Sequence, residues 1–317
     1  MDLKSGFAYQ PTTPLYPPGP PTPSPLPVGN LGPLERLLGA WQGTGFNVIW
    51  RPVYGTGRDH FLELNLTAED LEFEVIPGVI PNRGLLQGDL MMAGARYLQQ
   101  ISDSNVKQPG NPAENAGLHV EPGVWLTVPA TSDPLVPASV ARLGSIPHGT
   151  TILAQGVATT SPGAPPIPEV SITPFQVNNP AAPQSFPEQN LGDPSLATRT
   201  QPPGSDGITQ AMLDNPNSLL ATALASETIV STTALVVSSD PTTPIIGGGT
   251  VNSAFLQGGP DGPNAVAARV SAIFWLMTRE GQMAPDLLQY TQTVLLNFNG
   301  LSWPHVTVAT LHKQASP

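Results

Sequence analysis

The residues of this sequence most able to do chemistry are a histidine and a carboxylate two positions apart, His119 and Glu121. Residues i and i+2 of a β-strand lie on the same face, so a strand here would point both side chains to one side. A carboxylate beside a histidine can orient the imidazole or relay a proton. The same spacing suits a polar pair that lines a barrel or lies on the surface, and the spacing alone leaves these interpretations open.

Two more histidines follow prolines. His305 follows Pro304 near the C-terminus, and His148 follows Pro147. A neutral imidazole can bind a metal ion, but a histidine in a turn is the simpler interpretation of either residue. A position for His148 at the mouth of a ligand site is a second interpretation. His60 and His312 are predicted to be exposed.

The sequence excludes several kinds of site. It contains no cysteine, which removes disulfides, thiolate nucleophiles, iron–sulfur clusters and cysteine-based zinc sites. It also lacks the Gly-x-Ser-x-Gly nucleophile elbow, the P-loop and the His-Glu-x-x-His motif.

The charge balance excludes two classes of partner. Twelve Lys and Arg residues stand against 23 Asp and Glu residues, a formal net charge of -11. Without a basic run, neither nucleic acid nor an anionic membrane surface is an expected partner. No apolar stretch reaches the ~18 residues of a transmembrane helix, and the N-terminus lacks a signal-peptide core. We therefore predict a cytoplasmic protein.

The composition favours an all-β fold. Proline (39 residues) and glycine (31 residues) are too frequent for a mainly helical chain. Segments with strand-like alternation recur at fairly even spacing without βαβ alternation, which predicts a closed antiparallel barrel of ~10 strands. Apolar residues at helical spacing within 207–226 predict one or two short helices. A helical turn at 34–38 is predicted to plug the barrel.

The same patterns predict the domain organisation. Residues 1–33 form a Pro-rich N-terminal segment, which favours extended polyproline II and cannot build a core. Residues 34–313 are predicted to form a single β-barrel domain. We interpret two regions, at about 77–117 and 159–226, as insertions into that barrel.

Three blocks of the sequence resemble the nitrobindin family of heme-binding, ten-stranded barrels. The first is the Leu-Gly-x-Trp-x-Gly-x-Gly strand at 38–45, which includes Trp41. The second is the His-x-Glu-x-Gly-x-Trp strand at 119–125, which a Pro-His-Gly turn at 147–149 follows. The third is the closing pair of strands, whose last turn holds Trp303, Pro304 and His305. The resemblance covers about half of the chain in scattered blocks.

The resemblance implies b-type heme inside the barrel, with His305 as the iron ligand. It implies that Trp41, Arg51, Trp125, His148 and Trp303 contribute to the heme pocket, with Arg51 able to pair with a propionate. His119 and Glu121 are the candidate catalytic pair. The walls of a ligand barrel need flat apolar side chains, but so does any core, and for Trp41 the core interpretation is the better one.

The spacing around His305 departs from the family pattern. The interval between this histidine and the following Ala-x-Leu, here Ala309 and Leu311, is one residue longer than in the family. A slip of one residue on a strand moves side chains to the opposite face. We therefore expect either a β-bulge that restores the geometry or a His305 that does not point inward.

The functional expectation has one leading form and two alternatives. The resemblance implies a heme protein that binds nitric oxide, isomerises peroxynitrite or carries out peroxidase-like chemistry. The first alternative is a heme-free carrier of a hydrophobic small molecule, and the second is an isomerase or cyclase that uses the barrel cavity. In each form the partner is a small hydrophobic or gaseous ligand, and a homo-oligomer is compatible with the sequence.

Overall fold

A computed structural model describes residues 30–55, 59–193, 196–201, 206–240 and 245–315. Nearly all of the predicted Pro-rich segment, 1–33, lies outside these residues. The strands are β1 (Gly39–Pro52), β2 (His60–Val75), β3 (Ile80–Asn82), β4 (Leu90–Gln108), β5 (Asn111–Val128), β6 (Thr131–Ser132), β7 (Leu135–Val136), β8 (Ser139–Ile146), β9 (Thr150–Pro162), β10 (Phe175–Gln176), β11 (Asn179–Pro183), β12 (Ile229–Ser238), β13 (Gly249–Asn252), β14 (Val266–Arg279), β15 (Leu287–Phe298) and β16 (Leu301–Lys313). The helices are α1 (Gln210–Asp214), α2 (Asn217–Leu224), α3 (Ala254–Gln257) and two 3₁₀ helices, Gly32–Leu37 and Pro187–Gln189.

Ten of these strands close into an antiparallel barrel, which confirms the predicted fold class. The order around the barrel is β1, β2, β4, β5, β8, β9, β12, β14, β15 and β16. The last strand pairs with the first through a register that runs from Trp41 opposite Lys313 to Val48 opposite Val306. This closure satisfies the backbone groups that would otherwise lie on an open sheet edge.

Two glycines of β1 allow the closing strands to approach each other. A Cβ added at Gly43 would lie 2.1 Å from the carbonyl oxygen of Thr310, and one at Gly45 would lie 2.3 Å from that of Val308. Neither position can hold a larger residue without moving β16. The Trp-x-Gly-x-Gly pattern is therefore a requirement of barrel closure, whatever the barrel binds.

One end of the barrel is closed by an apolar plug. The helical turn predicted at 34–38 is found as the 3₁₀ helix Gly32–Leu37. Its side chains Leu34 and Leu37 are fully buried in the barrel core beside Trp41. The indole Nε1 of Trp41 donates a hydrogen bond to the carbonyl oxygen of Leu37 at 2.7 Å. We call this end the closed end, and the opposite end the mouth.

A second apolar core lies on the outer wall of the barrel. The described residues of 163–228 pack along the outward faces of β1, β2, β14, β15 and β16. Trp50 Nε1 donates to the carbonyl oxygen of Ile172 at 2.9 Å, and Gln289 Nε2 donates to that of Leu220 at 3.0 Å. Helices α1 and α2 lie within 207–226, where short helices were predicted. Most of the region interpreted as an insertion at 159–226 thus forms an outer layer.

The other region interpreted as an insertion, 77–117, forms part of the barrel wall. It contains all of β4 and the start of β5, and β4 pairs with both β2 and β5. The short strand β3 pairs with the first residues of β4 near the closed end. The helices within the described ranges all lack the length and apolar character needed to span a membrane.

The plug generates a stability prediction. Leu34→Ala removes a fully buried side chain from the closed end, and cavity-forming Leu→Ala changes cost about 2–5 kcal/mol. We expect a loss of that size in the free energy of unfolding, measured by urea denaturation. The matched control is Glu35→Ala, because Glu35 is exposed on the same helical turn. Equal losses in the free energy of unfolding of the two variants would contradict the packing of the plug in the barrel core.

Candidate functional site

The inner face of the barrel is polar in its mouth half. Polar side chains from β1, β2, β4, β5, β8, β15 and β16 converge there, and we call this set the polar chamber. Its members are Asn47, Asn65, Thr67, Glu69, Gln99, Asp103, His119, Glu121, Arg142, Gln292, His305 and Thr307. His119, Gln292 and His305 keep some exposed surface, whereas Trp41 and Trp125 in the closed half are buried. The chamber is therefore accessible and the closed half is packed.

A buried ion pair occupies the centre of the barrel. Arg142 Nη2 donates to Glu121 Oε1 at 2.7 Å, and the side chains are 2% and 0% exposed. The Tyr97 hydroxyl donates to the same carboxylate oxygen and accepts from Arg142 Nε at 3.0 Å. Arg142 Nη1 donates to Gln292 Oε1. Burial opposes the charge of Glu121, but Arg142 and the hydrogen bonds of His119 and Tyr97 lower its pKa to about 2.

His119 connects this ion pair to the accessible part of the chamber. Its Nε2 lies 3.4 Å from Glu121 Oε2, the carboxylate oxygen that Arg142 does not contact. The imidazole is 17% exposed. His148, exposed in the turn between β8 and β9, places its ring 5.6 Å from that of His119. The structure thus brings three predicted site residues together between the centre of the barrel and the mouth: Glu121, His119 and His148.

His305 also faces the chamber, and it does so without a bulge. The pairing of β15 with β16 runs without a register shift from Leu287 opposite His312 to Phe298 opposite Leu301. Neither of the two expectations for this strand is met, because His305 shares the inward face with Ala309 and Leu311. Burial, together with the imidazoles of His119 and His148, lowers the pKa of His305 to about 3. Its imidazole is therefore neutral at physiological pH.

A second carboxyl, Glu69, lies deeper in the chamber. It accepts hydrogen bonds from the Tyr290 hydroxyl at 2.6 Å and from the Thr67 hydroxyl at 3.0 Å. No cation pairs with this carboxyl among the described residues. Burial raises its pKa to about 7, although the hydrogen bonds oppose the shift. Glu69 and Glu121 thus have very different proton affinities in one barrel.

A cavity of about 350 Å³ opens beside the chamber at the mouth. Asn65 and Asp103 of the chamber line it, together with Phe61 and Leu118. A second cavity, of about 370 Å³, lies beyond the plug and contacts none of the predicted site residues. Of these two cavities, the mouth cavity is the one lined by chamber residues, and His119 follows Leu118 of its wall in the sequence.

The remaining predicted residues do not form one pocket. Trp41 belongs to the plug, and Trp125 packs edge-on against Phe274, 5.3 Å away, in the closed half. Trp303 lies in the outer layer, stacked on Phe298 with ring centroids 4.7 Å apart. Arg51 lies at the rim of the mouth and pairs with Glu63 at 2.6 Å.

These positions bear on the heme that the resemblance implies. A neutral, inward-facing His305 suits an iron ligand. However, its Nε2 is hydrogen-bonded to Asn47 Oδ1 at 2.7 Å, and the surrounding chamber is polar and charged instead of apolar. The aromatic residues expected as walls lie at the closed end and on the outer surface. The residues present therefore do not fit a heme in this arrangement.

The described residues also offer no group of three or more His, Asp or Glu side chains arranged to hold a metal ion. The sequence interpretation missed four central residues: Tyr97, Arg142, Glu69 and Tyr290. Arg142 could have been noticed in the sequence, because it is the one charged residue of the strand Ser139–Ile146. The sequence gives no comparable indication of the contact between Glu69 and Tyr290, since 221 positions separate them.

The ion pair generates a second stability prediction. Arg142→Met leaves the Glu121 carboxylate buried without its cation, and breaking such a pair costs about 3–5 kcal/mol. The matched control is Arg51→Met, because Arg51 and its partner Glu63 are 45% and 29% exposed; surface pairs contribute about 1 kcal/mol or less. We expect urea denaturation to show the larger loss for Arg142→Met. Comparable losses in the free energy of unfolding of the two variants would indicate that another group compensates the buried charge of Glu121.

Glu69 generates a prediction with a defined pH dependence. Its folded-state pKa, about 7, lies above the ordinary value of 4.5, so its contribution to stability is complete below pH 4.5 and is lost as the pH rises through 7. Glu69→Gln removes this loss. The variant should gain on the order of 2–3 kcal/mol over the wild type between pH 5 and pH 8.

This gain is measured by urea denaturation at both pH values. Glu72→Gln, on the exposed outer face of the same strand, controls for the removal of one negative charge. A difference in the free energy of unfolding between Glu69→Gln and the wild type that does not change with pH would contradict a raised pKa of Glu69.

Comparisons with known proteins extend this description only slightly. No protein-family model matches the chain, and no curated protein matches it significantly. Among solved structures, the chain is similar to the crystal structure of Rv2717c from M. tuberculosis, with 13% sequence identity over 90% of this chain and 98% of that chain. The TM-score is 0.38. At that level the assignment of the fold depends on the strand pairing of the chain itself.

Proposed function

We propose that this barrel binds a small, uncharged organic molecule in the polar chamber and that His119 acts there as a general base. The reaction class is an isomerisation or cyclisation that begins with removal of a proton. One observation carries the proposal: the chain of contacts from Arg142 through Glu121 to His119 is buried at one end and accessible at the other.

The contacts of Glu121 determine which nitrogen of His119 is basic. Arg142 and Tyr97 keep the Glu121 carboxylate ionised, so that it can only accept hydrogen bonds. The nearby Nε2 of His119 must then carry the hydrogen of that contact. The lone pair lies on Nδ1, and a histidine oriented in this way by a carboxylate is a common general base.

The charges of the chamber favour an uncharged ligand. Arg142, the cation at the centre of the barrel, is fully engaged by Glu121, Tyr97 and Gln292. Asp103 lines the mouth cavity together with the ion pair of Arg51 and Glu63, and the whole chain is acidic. An anionic ligand would meet repulsion at the entrance. A volume of about 350 Å³ lies at the lower end of the range for small-molecule sites.

The proposal is tested with 5-nitrobenzisoxazole, a neutral probe whose ring opens when a base removes one C–H proton. The wild type should accelerate this reaction, and His119→Ala should lower kcat/KM by about 100-fold, the lower end for general base catalysis. Glu121→Gln should give a smaller loss, because the amide can still accept from Nε2. The control is His312→Ala, whose residue is exposed on the outward face of β16.

A rate that His119→Ala leaves unchanged would contradict the role of His119. Failure of the probe to react faster with wild-type protein than with free imidazole would contradict a base in the chamber. Circular dichroism spectra of the variants distinguish loss of the base from loss of the fold.

Heme binding at His305 stays a prediction, and one titration separates it from this proposal. Hemin is added to wild-type protein and to His305→Ala, and the absorption spectrum is recorded. A chamber that holds no heme gives no sharp Soret band in either protein. A band near 1:1 that His305→Ala abolishes would show that the chamber rearranges to bind heme, and it would replace the proposal made here.

A further inference from the structure

His305 is the end of a hydrogen-bonded relay that spans four strands, β4, β2, β1 and β16. Asp103 Oδ2 accepts from Asn65 Nδ2 at 2.8 Å, and Asn65 Oδ1 accepts from Asn47 Nδ2 at 3.1 Å. Asn47 Oδ1 then contacts His305 Nε2 at 2.7 Å and accepts from the Thr307 hydroxyl at 2.9 Å. We call these four residues, Asp103, Asn65, Asn47 and His305, the amide relay.

The carboxylate at the far end determines the direction of every bond in the relay. An Asp carboxylate accepts and does not donate, so the amide nitrogen of Asn65 must face it. The carbonyl oxygen of Asn65 then faces Asn47, which must present its own amide nitrogen. The carbonyl oxygen of Asn47 is left for His305, so the hydrogen of the imidazole lies on Nε2.

This tautomer leaves Nδ1 of His305 with a free lone pair. Nδ1 has no hydrogen-bond partner in the part of the chain that the structure describes, and His305 keeps exposed surface inside the barrel. Asn65 and Asp103, which hold the relay in place, are 5% and 4% exposed and also line the mouth cavity. The relay thus holds an unsatisfied acceptor at the accessible end of the chamber.

We propose that His305 Nδ1 binds the ligand by accepting a hydrogen bond, so that the ligand carries a hydroxyl or N–H group. This inference rests on the proposed function, because it places the donor group of the same ligand on which His119 acts. Asn47, Asn65 and Asp103 are positioning residues that fix the tautomer. His305 selects an uncharged donor over an ether or ketone of the same shape.

The neutral state of His305 supports this role. Burial and the neighbouring imidazoles lower its pKa to about 3, so Nδ1 remains an acceptor across the physiological range. His119 offers a second acceptor nitrogen from the opposite wall, on β5. A ligand with one donor group and one acidic C–H could therefore be held by His305 while His119 removes the proton.

The test compares two probes that differ in one donor, 2-naphthol and 2-methoxynaphthalene, by fluorescence titration. The wild type should bind 2-naphthol about 3- to 10-fold more tightly than its methyl ether, the value of one neutral hydrogen bond. His305→Leu should abolish this preference while both probes still bind. His305→Gln should keep part of it, because the amide can donate to Asn47 and accept from the ligand.

The tautomer is measured independently of any ligand. Long-range ¹H–¹⁵N correlation spectra should assign the hydrogen of His305 to Nε2 in the wild type, and Asp103→Leu should produce a mixture of tautomers and weaken the preference for 2-naphthol. The control is Asp70→Leu, since Asp70 accepts from Gln42 on the outer surface at 2.6 Å and belongs to no relay.

The outcomes separate this inference from the function on which it rests. Equal affinity for the two probes, or a wild-type His305 protonated on Nδ1, would overturn the role of His305 and leave a ligand-binding chamber. Failure of either probe to bind the wild type would contradict ligand binding in the chamber, and the inference would fall with it.

Discussion

The contact between Arg142 and Glu121 is the interaction on which the organisation of the barrel interior depends. Moving a charged group out of water costs several kcal/mol unless a partner and hydrogen bonds offset the cost. Both side chains are almost fully buried, so each of their polar atoms needs a partner. Tyr97, Gln292 and His119 supply those partners, and the need to supply them determines which side chains surround the centre of the barrel.

This requirement divides the interior into two halves. On one side of the ion pair, the aromatic rings of Tyr97, Trp125, Phe274 and Tyr290 pack with the plug, with Phe274 and Tyr290 stacked 5.1 Å apart. On the other side lie amides, imidazoles and carboxyls. The two tyrosines belong to both halves, since each ring packs in the apolar core and each hydroxyl reaches a carboxyl of the chamber. The closed half is a packed apolar core, and the mouth half holds the polar chamber.

The sequence predicted the features that depend on local pattern. Alternation and turn residues were enough to predict the barrel, the plug and the shared face of His119 and Glu121. The positions of Trp41 and Trp303 could not be predicted in the same way. Trp41 packs with the plug inside the barrel, whereas Trp303 packs with Trp50 and Phe186 in the second core, and only the folded chain brings those rings together. The amide relay was also invisible, since His305 and Asn47 are 258 residues apart and meet only because β1 closes on β16.

The two histidines of the chamber share one design. Each imidazole turns Nε2 toward a buried carboxylate, His119 directly to Glu121 and His305 through two asparagines to Asp103. Because a carboxylate only accepts, the hydrogen of each imidazole lies on Nε2 in these contacts. The nitrogen left without a hydrogen is therefore Nδ1 of each histidine. In the two proposals made above, one of these nitrogens removes a proton and the other accepts a hydrogen bond from the same ligand.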